Sequence, residues 1–325
     1  MISGRSWRGY WSREVWTVTL ETAMETGAAL TMRGVSKRYR GSRTWALRDL
    51  SLEVPRGYVM GLLGKNGAGK TTLIKLACGL LKADSGDIRV LGADPERSGP
   101  ELRRFIGYVS EAPQLYNNLS LRWLAGFVAG RFPAWDEAYF RQLLRRLDLR
   151  DHLGDRFGKL SKGTKVKFAL ALALAHRPKV LLLDEPTSGL DPAARREVLS
   201  VLLEALRDGE TAVVFSSHIT SDVEKIADFV TIIDRGRVLL TEDKETLLNR
   251  VVRAVLPREA GEWLERLGEE GPVIHWQMGR RRITALIGDL DEFEALYPRA
   301  LPRPFDVTRM NLEDIFVALT DAREE

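Results

Sequence analysis

The run Gly64-Lys65-Asn66-Gly67-Ala68-Gly69-Lys70-Thr71 fits the pattern G-x-x-x-x-G-K-[ST]. Glycines at such places let backbone N–H groups turn inward around phosphate oxygens, and the positive end of a following helix adds to the attraction. Lys70 is placed to reach the β- and γ-phosphates of a nucleoside triphosphate, and the Thr71 hydroxyl to ligate Mg²⁺. Gly64, Asn66, Gly67, Ala68, Gly69, Lys70, Thr71 and Thr72 are therefore candidate nucleotide-binding positions. A second run, Val180-Leu181-Leu182-Leu183-Asp184-Glu185, delivers two carboxylates at the end of an apolar stretch. Asp184 would hold Mg²⁺, directly or through water, and Glu185 would polarise the attacking water. Alone, such a run is often just a strand end. After a phosphate loop, the chemical reading takes precedence.

Both motifs need a particular frame. Tyr58–Leu63 is a compact apolar run ahead of the glycine loop, and Lys70–Leu81 reads as the helix after it. That strand, loop and helix order is what a phosphate loop requires. Strands are expected at Ala29–Val35, Ala46–Val54, Val180–Leu183 and Thr211–Ser216, with a hairpin of Asp228–Asp234 and Arg237–Thr241 around Arg235-Gly236. Helices are expected at Leu121–Phe132, Asp136–Leu147, Ser161–Ala175 and Pro192–Arg207. The pattern describes an α/β core with a helical insertion at about 114–175.

The element that narrows the class is Leu160-Ser161-Lys162-Gly163-Thr164, which resembles the LSGGQ signature of ABC ATPases. Ser161 would cap a helix and Gly163 keep its end bare, making a second anion site. The resemblance implies that this site meets the γ-phosphate bound by another subunit. It further implies that Tyr39 stacks on adenine, that Ser188-Gly189-Leu190-Asp191 is a loop lining the dimer interface, and that His218 contacts the γ-phosphate. His152, His176 and His275 read as structural, and Cys78 as core filler. The resemblance spans about 30–245 and is nearest to bacterial subunits of the acetoin-utilisation and bacitracin-efflux type, through Arg131-Phe-Pro-Ala-Trp135-Asp136, Phe215-Ser-Ser-His218-Ile219 and Asn311-Leu-Glu-Asp-Ile-Phe-Val-Ala-Leu319. Two departures stand out. Glu111 follows Ile106-Gly-Tyr-Val109-Ser110 where the family has Gln, and the signature has Lys162 and Thr164 where Gly and Gln are usual. Glu111 could offer an oxygen to Mg²⁺, or face only solvent and a partner.

The family implies a P-loop NTPase fold with a RecA-like core and an antiparallel β region. It implies ATP and Mg²⁺ as cofactors, a head-to-tail dimer with a second copy or a paralogue, and a separate transmembrane permease driven from the cytoplasmic face of the membrane. Export is the favoured direction. Glu185, His218 and Lys70 are then the catalytic set. A translation factor or DNA-repair ATPase of the same family is the rival, disfavoured because the sequence shows one cassette and no long coiled coil. A regulatory module that binds ATP without turnover is disfavoured by the intact Asp184, Glu185 and His218.

Composition agrees. A net charge of +4 gives no strong case for nucleic-acid binding, and a single cysteine excludes an internal disulfide framework. No stretch approaches the roughly 18 apolar residues of a membrane helix. Residues 1–27, rich in Trp and Arg and without a period, are expected to be an interaction arm or the product of an upstream start codon; the second is favoured, with Met24 as first residue. After Asn249 the pattern changes. Strands at Val251–Leu256, Pro272–Trp276 and Arg282–Ile287, helices near Glu259–Leu267 and Leu290–Leu296, and a last helix capped by Asn311 suggest a small α+β appendage over 250–325, following a nucleotide-binding domain over 28–249.

Overall fold

The computed structural model describes residues 27–207, 209–267, 271–299, 301–303 and 306–321. The expected arm at 1–26 lies outside these. The described residues fall into two compact units that divide between Val238 and Leu239.

In the first unit, β1 (Ala28–Lys37), β2 (Leu47–Pro55) and β4 (Ser85–Val90) form an antiparallel sheet in the order β2-β1-β4. A second sheet runs β5-β6-β7-β3-β8-β9, from β3 (Val59–Leu63), β5 (Ile106–Val109), β6 (Val180–Asp184), β7 (Ala212–Ser217), β8 (Phe229–Asp234) and β9 (Arg237–Asp243), the edge strand in which the division falls. The pairs from β5 to β8 are parallel. Every residue of β3, β6, β7 and β8 is buried, which is why these strands read as unbroken apolar runs.

Helices α1 (Lys70–Ala77), α2 (Gly99–Leu102), α3 (Leu121–Ala129), α4 (Glu137–Arg146), α5 (Lys162–Ala175), α6 (Pro192–Ala205) and α7 (Thr220–Ile226) complete the unit. The insertion holds α3, α4 and α5. Their starts are set by local chemistry: the side chains of Ser120, Asp136 and Ser161 each accept a backbone N–H three residues on. Helix α1 is shorter than the expected Lys70–Leu81, because Gly79 turns left-handed with φ +64 and ends it. Pro95 O would stand 2.3 Å from a Cβ there, so the stop requires glycine.

Elements β4, β5, α2 and α7 are absent from the sequence reading. β4 is an edge strand of mostly polar, exposed residues, and β5 has only four residues, so neither carries a legible period.

The second unit holds α8 (Lys244–Arg250), then β10 (Val252–Pro257), α9 (Gly261–Leu267), β11 (Val273–Met278), β12 (Arg282–Ile287), α10 (Leu290–Leu296) and β13 (Asp306–Arg309), followed by α11 (Leu312–Asp321). Its sheet is antiparallel throughout, in the order β11-β12-β10-β13. This βαββαβ path is the ferredoxin-like split arrangement. Val252, Ala254 and Leu256 alternate with outward residues on β10 and pack with Ile283, Ala285, Ile287, Leu264 and Phe293. Asn311 Oδ1 accepts the Asp314 N–H at 2.8 Å, which caps α11 as expected.

One turn ties the sheet to the glycine loop. Arg235 (φ 46) and Gly236 (φ 75) form the two-residue turn between β8 and β9. Gly236 N–H donates to Ala68 O at 2.9 Å, and its carbonyl accepts from Arg48 N–H at 2.8 Å. A Cβ on Gly236 would lie 2.6 Å from Ala46 O and 2.9 Å from Leu47 Cα. Gly236→Ala should therefore destabilise the protein by about 1–3 kcal/mol. Exposed Gly126 in α3 has open space around it, and Gly126→Ala should stabilise by about 0.5–1 kcal/mol. Thermal melts of the two variants should shift in opposite directions.

Candidate functional site

The ends of β3, β6 and β7 meet beneath the glycine loop. After β3, the chain turns through Gly67 (φ +83) and Gly69 (φ +113), conformations that side chains rarely adopt. Gly69 occupies the cap position of α1 without a side-chain cap, so the helix's N–H groups are left for a ligand. Lys70 is buried, with Nζ donating to Gly64 O at 2.6 Å and lying 3.1 Å from Glu185 Oε1.

Asp184 and Glu185 are both buried. Asp184 Oδ1 accepts from Thr71 Oγ1 and from Ser216 Oγ, each at 3.1 Å. Burial pushes the Asp184 carboxyl above its ordinary range; those two hydrogen bonds oppose the shift, and repulsion from Glu185 and Glu111 reinforces it. Glu185 has a left-handed backbone, φ 50, a strained conformation for a side chain of this size. Its Oε2 lies 2.7 Å from His218 Nδ1 and accepts the His218 N–H at 3.3 Å. The hydroxyl of Ser216 also accepts the Glu185 N–H at 3.0 Å. Ser216 thus positions both carboxylates, a role sequence reasoning missed. Its only signal there is its place at a buried strand end.

A cleft of about 430 Å³ gathers Tyr39, Ala46, Asn66, Gly67, Ala68, Gly69, Lys70, Thr71, Thr72, Glu111, Glu185, Ser188 and His218. Most sequence-predicted site residues therefore share one wall. Tyr39 is held there by its hydroxyl, 3.2 Å from Thr72 Oγ1. Ala46 is a lining residue outside the sequence-derived set, and Ser188, read there as part of the dimer-interface loop, lines the cleft as well. Five predicted positions are not in the lining; one is Asp184, buried behind Thr71 and bonded to its hydroxyl. Gly64 is a packing glycine, since a Cβ would meet Ile233 O at 2.6 Å. Ser161 and Gly163 sit at the start of α5. Asp191, expected among the nucleotide-binding residues, is a helix cap in this subunit: its Oδ1 accepts from Ala193 N–H and Ala194 N–H at 2.9 and 3.0 Å.

His218 lines the cleft, and the other three histidines do not. His152 Nδ1 pairs with Asp155 at 2.7 Å, and buried His176 reaches Leu172 O and Ile106 O. His275 lies on β11. Burial drives the Cys78 thiol up to about 12, so it stays protonated and inert.

The donor set suits a triphosphate and a hard divalent cation. Among the described residues no group of three or more His, Cys, Asp or Glu could hold a metal by itself. A hydroxyl and one carboxylate in contact, beside a phosphate cradle, are what Mg²⁺ takes when phosphates and water supply the remaining oxygens.

Comparison with known proteins places this geometry. Residues 47–188 match the ABC transporter family model. The chain is 30% identical over 303 residues to an uncharacterized ABC transporter ATP-binding protein, YxlF of Bacillus subtilis, covering 90% of this chain and 100% of that one. It is 35% identical over 190 residues to the bacitracin transport ATP-binding protein BcrA of Bacillus licheniformis, covering 58% of this chain and 62% of that protein. A solved ATP-binding subunit of an ABC transporter superposes with a TM-score of 0.62 at 29% identity, over 68% of this chain and 92% of the other. The fold and cleft define a P-loop ATPase. The chain belongs to the ATP-binding, ATP-hydrolysing subunits of ABC transporters.

Lys70 places a buried positive charge beside the glycine loop. Lys70→Ala should weaken ATP binding at least tenfold, as read by calorimetry, and should lower the melting temperature without nucleotide, because buried Glu185 loses its cation.

Proposed function

We propose that two copies of this ATPase unit, or one copy and a paralogue, close head to tail around two ATP molecules and reopen on hydrolysis, and that this motion drives a separate membrane permease. The observation that carries the reading is the place of the α5 start. Ser161 caps a bare helix end, yet Ser161 and Gly163 stand outside the cleft their own chain builds around Lys70. A second anion site with no nucleotide of its own suits the nucleotide of another subunit.

Within one site, each residue has a distinct task. Gly67, Gly69 and the α1 end hold phosphate oxygens through backbone N–H groups, and Lys70 adds charge. Thr71 and Asp184 would hold Mg²⁺, which supplies positive charge against the charge that builds up on the phosphates. Glu185 accepts a hydrogen bond from the attacking water and orients it. His218, 2.7 Å from Glu185 Oε2, fixes that carboxylate's direction and would contact the γ-phosphate. The Lys70–Glu185 contact of 3.1 Å must loosen when phosphate reaches Lys70. Tyr39, 43% exposed at the rim, offers its ring to the base.

No described helix is long and apolar enough to cross a membrane, so the transport path belongs to the partner in this reading. Docking is supported at the helical insertion. Tyr108, Pro113, Leu115, Val128, Phe132 and Leu172 line an apolar cleft of about 340 Å³, and Trp123 stacks on Phe127 at a ring separation of 5.4 Å while both stay exposed. The chain would work from the cytoplasmic face of the membrane. Its likeness to a bacitracin transport protein favours export, with the substrate chosen by the permease.

Glu185→Gln should keep ATP affinity within about threefold while turnover falls at least about a hundredfold. Phosphate release and size exclusion with Mg-ATP check this together, since the closed dimer should accumulate. Turnover at the parental rate would remove Glu185 from its role. Ser161→Arg should spare nucleotide binding by the monomer and block dimerisation. Loss of monomer binding would refute the trans site.

A further inference from the structure

Two departures of this chain from the family pattern meet in space. Glu111 stands where an amide is usual and Lys162 where glycine is usual, far apart in sequence. In the fold, Lys162 Nζ lies 3.8 Å from Glu111 Oε1. Ser188 Oγ donates toward the same oxygen at 3.5 Å. The lysine also runs along Gly189, where a Cβ would lie 3.3 Å from Nζ and 3.8 Å from Cδ. Three segments therefore converge on one carboxylate: the loop after β5, the start of α5, and the loop after β6.

The location gives the pair a consequence. Glu111 and Ser188 line the cleft with Lys70 and Thr71. The charge of Glu111 is also felt at Asp184. A carboxylate free to turn into this cleft would repel the incoming triphosphate. The Lys162 ammonium, which does not line the cleft, draws it toward the start of α5. Both side chains are about half exposed, so the pair contributes little to folding.

We propose that Lys162 is a positioning residue that holds the Glu111 carboxylate off the phosphate site, which lets this chain carry an acid where its family carries an amide. The proposal rests on the reading of the cleft as the ATP site. It also links the two ATP sites of a dimer, because Glu111 lines its own chain's cleft while Lys162 begins the helix offered to the partner's nucleotide.

The test is a double-mutant cycle on the full chain, with a non-hydrolysable ATP analogue titrated at about 50 mM salt. Lys162→Met should weaken binding about two- to fivefold, the range of a partly exposed ion pair. The same change on a Glu111→Gln background should move affinity less than about 1.5-fold. Lys162→Arg should restore parental affinity. The Lys162→Met effect should fade toward 1 M salt, where screening acts over about 3 Å. A loss that persists on the Glu111→Gln background would show that Lys162 acts directly or through the fold, and would overturn the proposal. So would parental affinity in Lys162→Met. If the parent bound no nucleotide, the ATP-site reading itself would fall, and the proposal with it.

Discussion

The cleft depends on two adjacent carboxylates, Asp184 and Glu185, held at 2% and 6% exposure at the end of one buried strand. Two like charges out of water are costly unless every oxygen finds a donor or a cation. The surroundings answer that demand. Thr71 and Ser216 bond Asp184, while Lys70 and His218 face the two oxygens of Glu185. Glu185 Oε1 has the ammonium of Lys70 and no well-aligned hydrogen bond, so this contact is poised to change when a phosphate competes for the lysine. The left-handed backbone at Glu185 belongs with the same demand, because it turns the second carboxylate away from the strand and toward the phosphate loop.

Much of the fold follows from delivering these groups to one edge. Parallel strands β3, β6 and β7 bring the phosphate loop, the carboxylates and Ser216-Ser217 to a common end. The Arg235-Gly236 turn then braces the phosphate loop through backbone bonds to Ala68 and Arg48. The βαββαβ unit after Val238 has its own core around Phe293 and Ile283.

The sequence made the chemical core legible because its residues obey local rules. A phosphate loop needs glycines at fixed spacings, and a buried parallel strand needs an unbroken apolar run, so Gly64–Thr71 and Val180–Glu185 could be read without a structure. Short or polar elements escaped notice. β5 spans four residues, and β4 is an edge strand whose sheet partner lies far along the chain. Asp191 carries two signals at once: family position suggests a loop at the dimer interface, and the Asp-Pro-Ala-Ala run a helix cap, which its bonds to Ala193 and Ala194 follow. The pairing of Glu111 with Lys162 was not legible, since each residue is explained only by the other and they meet only through the fold.

One chain builds half of each proposed site. It supplies the cradle, the metal-side groups and Glu185, while its Ser161-capped helix end lies outside its own cleft. Catalysis in this account is therefore bimolecular in protein at low concentration. The direct measurement is phosphate release per chain at saturating Mg-ATP, followed over a dilution series that spans the monomer–dimer transition seen by size exclusion. The account predicts that activity per chain rises with concentration and levels off once the dimer dominates. Activity per chain that stays constant down to concentrations at which the protein is monomeric would contradict it.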